Sequence, residues 1–278
     1  MCLPAILFAL ALVFGGSAAA EGDKSCPDKV CVTSARMGPT AKSIDAENLG
    51  VGPVTLTLKL TRLHNAKALK SGPQTLVLKP KRHLRINEIY ARDSRDKWTF
   101  AYSFFWRYGA RNASHDDSQT YLLPYEDGSK YPMIQGPGGK YSHVGERAYD
   151  FSMPEGTRVY AARAGKVIAV RDNSKIGGPS RKFENDANYV YILHTDGTVG
   201  RYLHLKFGGA LAKLGDEVKA GEPIGLSGST GFASRPHLHF EVCTPIDGER
   251  SKTFNLWFAT KRAGRTYLAE GGRYTAKH

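Results

Sequence analysis

Residues 235–242 read RPHLHFEV, two histidines one residue apart in a run that otherwise has the composition of a β-strand. Successive side chains on a strand point to opposite faces. His237, His239 and Glu241 therefore share one face, and Leu238, Phe240 and Val242 share the other. The apolar face reads as core. The polar face carries two imidazoles and a carboxylate, which are costly to bury unless they bond to something. That partner is a metal, a proton relay or water. The strand is expected to border both a β-sheet core and a functional site.

On either side of this strand the chain keeps a β rhythm. TRVYAARAGKVIAVRD (157–172) reads as two strands around Ala164-Gly165. NYVYILHTDGTVGRYLHL (188–205) reads as a hairpin turning at Asp196-Gly197, a strong turn pair. GDEVKAGEPIGLSGSTG (215–231) is turn-rich with short apolar pieces, and the polar stretch 173–187 reads as an exposed inserted loop. Nearer the N-terminus, PVTLTLKL (53–60), QTLVLKP (74–80), HLRINEI (83–89) and WTFAYSFFWRYG (98–109) are strand-like, with turn formers between them. No long helical apolar period occurs. The expected fold class is all-β, with an N-terminal β-sandwich-like module followed by a C-terminal antiparallel β-sheet domain. A shift to Gly, Pro and Tyr over 121–145 divides these at Leu123, giving 21–122 and 123–278. The polar lead 21–50 gives no strand signal, and the basic tail after Phe258 is expected to be loose.

The chain has 278 residues and a formal net charge of +13, enough length for a proper core. MCLPAILFALALVFGGSAAA (1–20) is apolar, short for a membrane span, and ends in an A-x-A pattern. It reads as a secretory signal peptide, so the mature chain is expected to be exported, periplasmic or secreted, without stable membrane insertion. Cys26 and Cys31 flank PDKV, a loop a disulfide would close in an oxidising compartment, and Cys243 is left to pack as a small apolar residue. The charge favours anionic surfaces such as cell-wall polymers. With no zinc-finger spacing, basic helix or aromatic RNA-binding motif, nucleic acid is not expected.

Five groups in the second region stand at or near predicted strands: His143, Asp150, His204, His237 and His239. A catalytic zinc takes three protein ligands and keeps one position open, and imidazole and carboxylate both suit it. Two further histidines would handle protons. His64 and His83 are isolated and read as surface or turn residues, and His194, beside the Asp196-Gly197 turn, reads as structural.

These residues carry a resemblance to the lysostaphin-type zinc metalloendopeptidases, which cut cell-wall peptides. AYDFSMPEGTRVYAARAGKV (148–167) resembles that family's Asp-bearing strand and following hairpin. RYLHL (201–205) resembles its Tyr-x-His-Leu piece, and VKAGEPIGLSGSTGFASRPHLHFEV (218–242) its Gly-rich approach to His-x-His. The pieces run in order over about a hundred residues, a more specific match than one motif alone. The resemblance implies Zn²⁺ held by His143, Asp150 and His239, with His204 and His237 beside it as catalytic residues, and peptidoglycan peptides as substrate. One departure concerns the first ligand. The family usually places its first His four residues before the Asp, whereas SHVGERAYD puts His143 seven before Asp150, and Glu146 occupies the nearer position as a rival. Glu241 shares the face of the histidines, as an orienting partner for one of them or as half of a salt bridge. The alternative function is a non-catalytic exported protein of the same fold that binds cell wall or activates another hydrolase, and a third is a metallopeptidase acting on another protein. The GDEVKAGEPIG segment resembles a lipoyl or biotinyl carrier hairpin but lacks its Met-Lys-Met turn.

Overall fold

Alternation of apolar and polar side chains commits both halves of the chain to sheets, and in the computed structural model, which describes residues 8–13 and 24–278, the regular elements are strands apart from two short 3₁₀ segments. Its chain divides into two compact units. One comprises Pro4–Arg111 with Pro245–Arg250, and the other Asn112–Thr244 with Ser251–His278.

The first unit holds two antiparallel sheets. A five-stranded sheet runs in the order Lys24–Ser25, Val30–Gly38, Ala41–Asn48, Arg82–Ala91, Ala66–Ala68; a four-stranded one runs Phe8–Val13, Thr99–Tyr108, Val54–His64, Gln74–Leu78. Val32 and Ile44 from the first sheet and Leu56, Leu58, Phe104 and Trp106 from the second share one apolar core, which makes the unit a sandwich. Of the expected signal peptide, Phe8–Val13 forms a strand paired with Thr99–Tyr108, and the rest lies outside the described residues. The Cys26–Cys31 disulfide is formed, and Cys243 is buried outside it. His64 and His83 are exposed on strands.

Two strands in this unit, Val30–Gly38 and Ala41–Asn48, lie in what reads as a polar lead. AKSIDAEN shows no apolar run because its buried positions include polar side chains that find partners in the fold. Ser43 donates to Asp45, and Asn48 donates to the carbonyls of Gly52 and Leu78 at 2.9 and 3.0 Å.

The second unit is organised on one large sheet. Its central order is Gly165–Arg171, Asn188–Leu193, Val199–Ala210, Leu238–Pro245, Ala148–Phe151, Lys130–Gln135, Arg273–Thr275, with antiparallel pairing throughout. The hairpin turns where Asp196-Gly197 places it. The polar insertion carries only a short 3₁₀ turn, Arg181–Asp186, and a two-residue strand. Leu238, Phe240 and Val242 enter the core with Tyr149, Phe151 and Tyr202, as the alternation requires. The unit begins at 112 rather than 123 because Thr120–Leu122 pairs in parallel with Trp257–Thr260 and Tyr121 is core. The tail after Phe258 is ordered, contrary to its basic composition. Gly264–Thr266 and Arg273–Thr275 pair into sheets, and Leu268 and Ala276 are buried in the core. No helix among the described residues is long and apolar enough to cross a membrane.

Candidate metal centre

The site grows from one row of cross-strand neighbours. Gln135 stands opposite Asp150, and Asp150 opposite His239, so their side chains leave the same face of three adjacent strands. This face is the reverse of the core face that carries Phe240. Both faces of the His-x-His strand are buried, with His239 8% and Glu241 1% exposed. The polar face is therefore paired rather than solvated.

Three atoms converge there. His239 Nδ1 lies 3.0 Å from Asp150 Oδ1, and His143 Nε2 lies 3.3 Å from both of them. Tetrahedral ligands at zinc bond lengths of about 2.0–2.1 Å are separated by about 3.3–3.4 Å, so the triangle has the size of one face of a zinc site. Tautomers are set accordingly. His143 Nδ1–H donates to the Gly136 carbonyl at 3.0 Å, which leaves Nε2 as a lone pair. His239 Nε2 faces Glu241 Oε2 at 3.6 Å, which leaves Nδ1 toward Asp150.

The electrostatics of the cluster favour a cation. Burial works to raise the Asp150 carboxyl, yet the neighbouring imidazoles of His143 and His239 hold it well below the usual carboxylate range. Burial works to lower His239, yet Asp150 and Glu241 push it up to about 10. Glu241 is itself held down to about 2 against burial, by His239 and by Arg201, whose Nη1 donates to Glu241 Oε1 at 3.1 Å. A proton on His239 answers this negative environment, and a divalent cation in the triangle would answer it better. The donor set therefore fits zinc.

His204 reaches this face through a bulge. Along Val199–Ala210, Tyr202 is a core residue, and strict alternation would place His204 on its face and Leu205 on the other, yet Leu205 is core too. Instead Leu203 pairs with Tyr189 and Leu205 with Asn188, leaving His204 unpaired in the ladder at φ +64°. The extra residue turns the imidazole to the site side, 4.6 Å from the His237 ring and 5.9 Å from the His239 ring between centroids. The backbone at Lys206 also passes close to Gly228, where a Cβ would lie 2.5 Å from the Lys206 nitrogen. Only glycine permits that approach. The loop following Gly228 then brings the Thr230 carbonyl to His204 Nδ1 at 2.7 Å. His237 Nδ1 likewise donates to the Arg235 carbonyl at 2.9 Å, and its Nε2 lies 3.9 Å from Asp150 Oδ1. Both rings thus carry their proton on Nδ1 and present Nε2 as acceptor. Burial lowers both from the ordinary imidazole value, so they are held neutral.

All five expected site residues therefore lie together. Glu146 lines the same groove but is not one of the three converging groups. Its carboxyl is pushed up to about 7 by burial and by Glu241. His194 stands apart, its Nδ1 bonded to the Ala164 carbonyl. Sequence reasoning missed Gln135 and Arg201, whose parts depend on which strands pair. The groove has a volume of about 770 Å³, with the stacked rings of Tyr141 and Phe232 in its wall, 5.6 Å apart.

Residues 144–252 match the model of peptidase family M23, a span that holds Asp150, His204, His237 and His239 and begins one residue after His143. Peptidoglycan DD-endopeptidase ShyA of Vibrio cholerae is 42% identical over 93 residues, 34% of this chain and 19% of its own. Lysostaphin of Staphylococcus simulans is 37% identical over 138 residues, 49% of this chain and 25% of its own. The matches thus span a quarter or less of these two curated relatives. Among solved structures, the catalytic domain of lysostaphin from Staphylococcus simulans is 29% identical, with 49% of this chain and 94% of that one covered and a TM-score of 0.30.

Proposed function

We propose, from the lysostaphin-type peptidase family M23 domain that this chain carries, that the protein is an exported zinc-dependent endopeptidase hydrolysing peptide cross-bridges of bacterial peptidoglycan. The observation that carries this reading is the convergence of His143, Asp150 and His239 into a zinc-sized triangle with two neutral histidines beside it. His143, Asp150 and His239 would hold the metal. When bound, zinc supplies a Lewis acid that polarises an amide carbonyl and lowers the pKa of water to about 7.

The chain's own groups supply the proton handling. His204 and His237 each present a neutral Nε2 to the same space, so one takes the proton of the attacking water and returns it to the leaving amine. Once protonated at Nε2, that same ring also donates a hydrogen bond to the oxygen that gains charge. Fixing both Nδ1 protons on backbone carbonyls removes the need to reorient a ring between these steps. The groove beside them accepts an extended peptide, and the net charge of +13 suits an anionic wall. A plausible group at each of the five positions supports this reading over the non-catalytic alternative.

The purified protein is expected to carry about one zinc per chain. It should lower the turbidity of a suspension of sacculi, stop on addition of chelator and recover on addition of zinc. A folded protein that takes up no zinc contradicts the proposal.

A further inference from the structure

We propose that Gln135 is the positioning residue of this metal centre, fixing Asp150 and the loop that delivers His143 from a single point. The inference rests on the metal reading above and extends it to a residue outside the triangle.

Gln135 ends the strand Lys130–Gln135 directly opposite Asp150 and is more than nine-tenths buried. Its amide is fully used. Nε2 donates to Asp150 Oδ2 at 3.0 Å and to Ser142 Oγ at 2.6 Å, while Oε1 accepts from the backbone N–H groups of Tyr141 and Ser142, each at 3.1 Å. A primary amide has two N–H donors and two acceptor lone pairs, so these four bonds exhaust it. Glutamate would keep the acceptors and lose the donors. Asparagine is one methylene short.

Two consequences follow from this geometry. The first concerns Asp150. Its Oδ2 is engaged by Gln135, which leaves Oδ1 as the oxygen facing His143 and His239. The second concerns His143, which arrives seven residues before Asp150, from a loop rather than from the strand. That loop is pinned at its far end by Gln135 Oε1. At its near end the Gly136 carbonyl accepts both His143 Nδ1–H and the Gly139 N–H, each at 3.0 Å. A Cβ on Gly139 would sit 2.4 Å from Gln135 Cγ and 3.0 Å from the Gly136 carbonyl oxygen. The glycine lets the loop close over the glutamine. Gln135-Gly136 thereby controls two of the three ligands.

The test measures zinc affinity of the folded protein by competition with a chromogenic chelator, for wild type, Gln135→Met and Gly139→Ala, with circular dichroism and melting of each metal-free protein alongside. Gln135→Met keeps length and volume and removes all four bonds. It is expected to weaken zinc binding about 10–100-fold per folded molecule, as losing a partner that orients a ligand does elsewhere. Gly139→Ala changes no ligand and no partner of a ligand, and it carries the test if Gln135→Met fails to fold. Its added methyl displaces Gln135 and is expected to weaken zinc binding in the same direction. A merely structural role would lower the melting temperature and leave the affinity of the folded fraction unchanged. Folded variants that bind zinc within twofold of wild type overturn the positioning role alone. A wild-type protein that binds no zinc overturns the metal centre and this proposal with it.

Discussion

At the scale of single residues the proposed function separates holding from proton transfer. His143, Asp150 and His239 contribute converging atoms, whereas His204 and His237 present Nε2 beside them. Alanine at His239 is expected to abolish zinc binding and activity together. Alanine at His204 is expected to keep zinc and lose about 10²–10⁴ in kcat, the usual worth of a general acid–base group. Zinc content and kcat measured on the same preparations check this, and loss of zinc from His204→Ala would contradict it. His194 makes a different prediction. Buried beside the Ala164 carbonyl, it is pushed down to about 4. An unfolded histidine titrates near 6.5, so below that pH the unfolded chain binds the extra proton first. The resulting stability is complete above about pH 6.5 and is lost as pH falls to about 4, for a total of about 3 kcal/mol. His194→Asn retains a donor near the Nδ1 position and does not titrate. Its melting temperature should fall less steeply than that of wild type between pH 6.5 and 4, and parallel profiles would count against the assignment.

At the scale of elements, the bulge at His204 trades ladder pairing for side-chain direction. A non-glycine residue at φ +64° is strained, most of all when β-branched. Replacing His204 by Asn, which tolerates this region and still donates toward Thr230, should cost less stability than replacing it by Val, by about 1–2 kcal/mol in denaturant melts. Equal stability of the two would place the strain elsewhere. This bulge also shows why the chain is only partly legible in advance. The alternation of RPHLHFEV and the Asp196-Gly197 turn declare their strands directly, because each signal is local. The direction of His204 is not local: RYLHL gives no sign of a break, and only the register shift between the Leu203–Tyr189 and Leu205–Asn188 pairs reveals the turn of the ring. Ala41–Asn48 was hidden for a related reason, since Ser43, Asp45 and Asn48 are buried polar residues satisfied by partners that the sequence does not order. The tail after Phe258 reads as loose because its charges outnumber the few anchors, Leu268 and Ala276, that hold it in the core. Gln135 gave no sign, because a glutamine becomes informative only once Asp150 is known to stand opposite it.

At the scale of the whole molecule, a sandwich unit and a unit that carries the candidate metal centre share one strongly basic chain. The five site residues span 143 to 239, and one sheet gathers them, with His143 brought in by the loop that Gln135 pins. The central claim is that this gathering hydrolyses wall cross-links through a bound metal. The most direct measurement is a muropeptide profile. Purified sacculi are incubated with the chain starting at Glu21, with the same protein plus chelator, and with His239→Ala. The account predicts loss of cross-linked dimers and gain of monomers in the first sample alone. A folded, zinc-loaded wild-type protein that leaves the dimer fraction unchanged would contradict it.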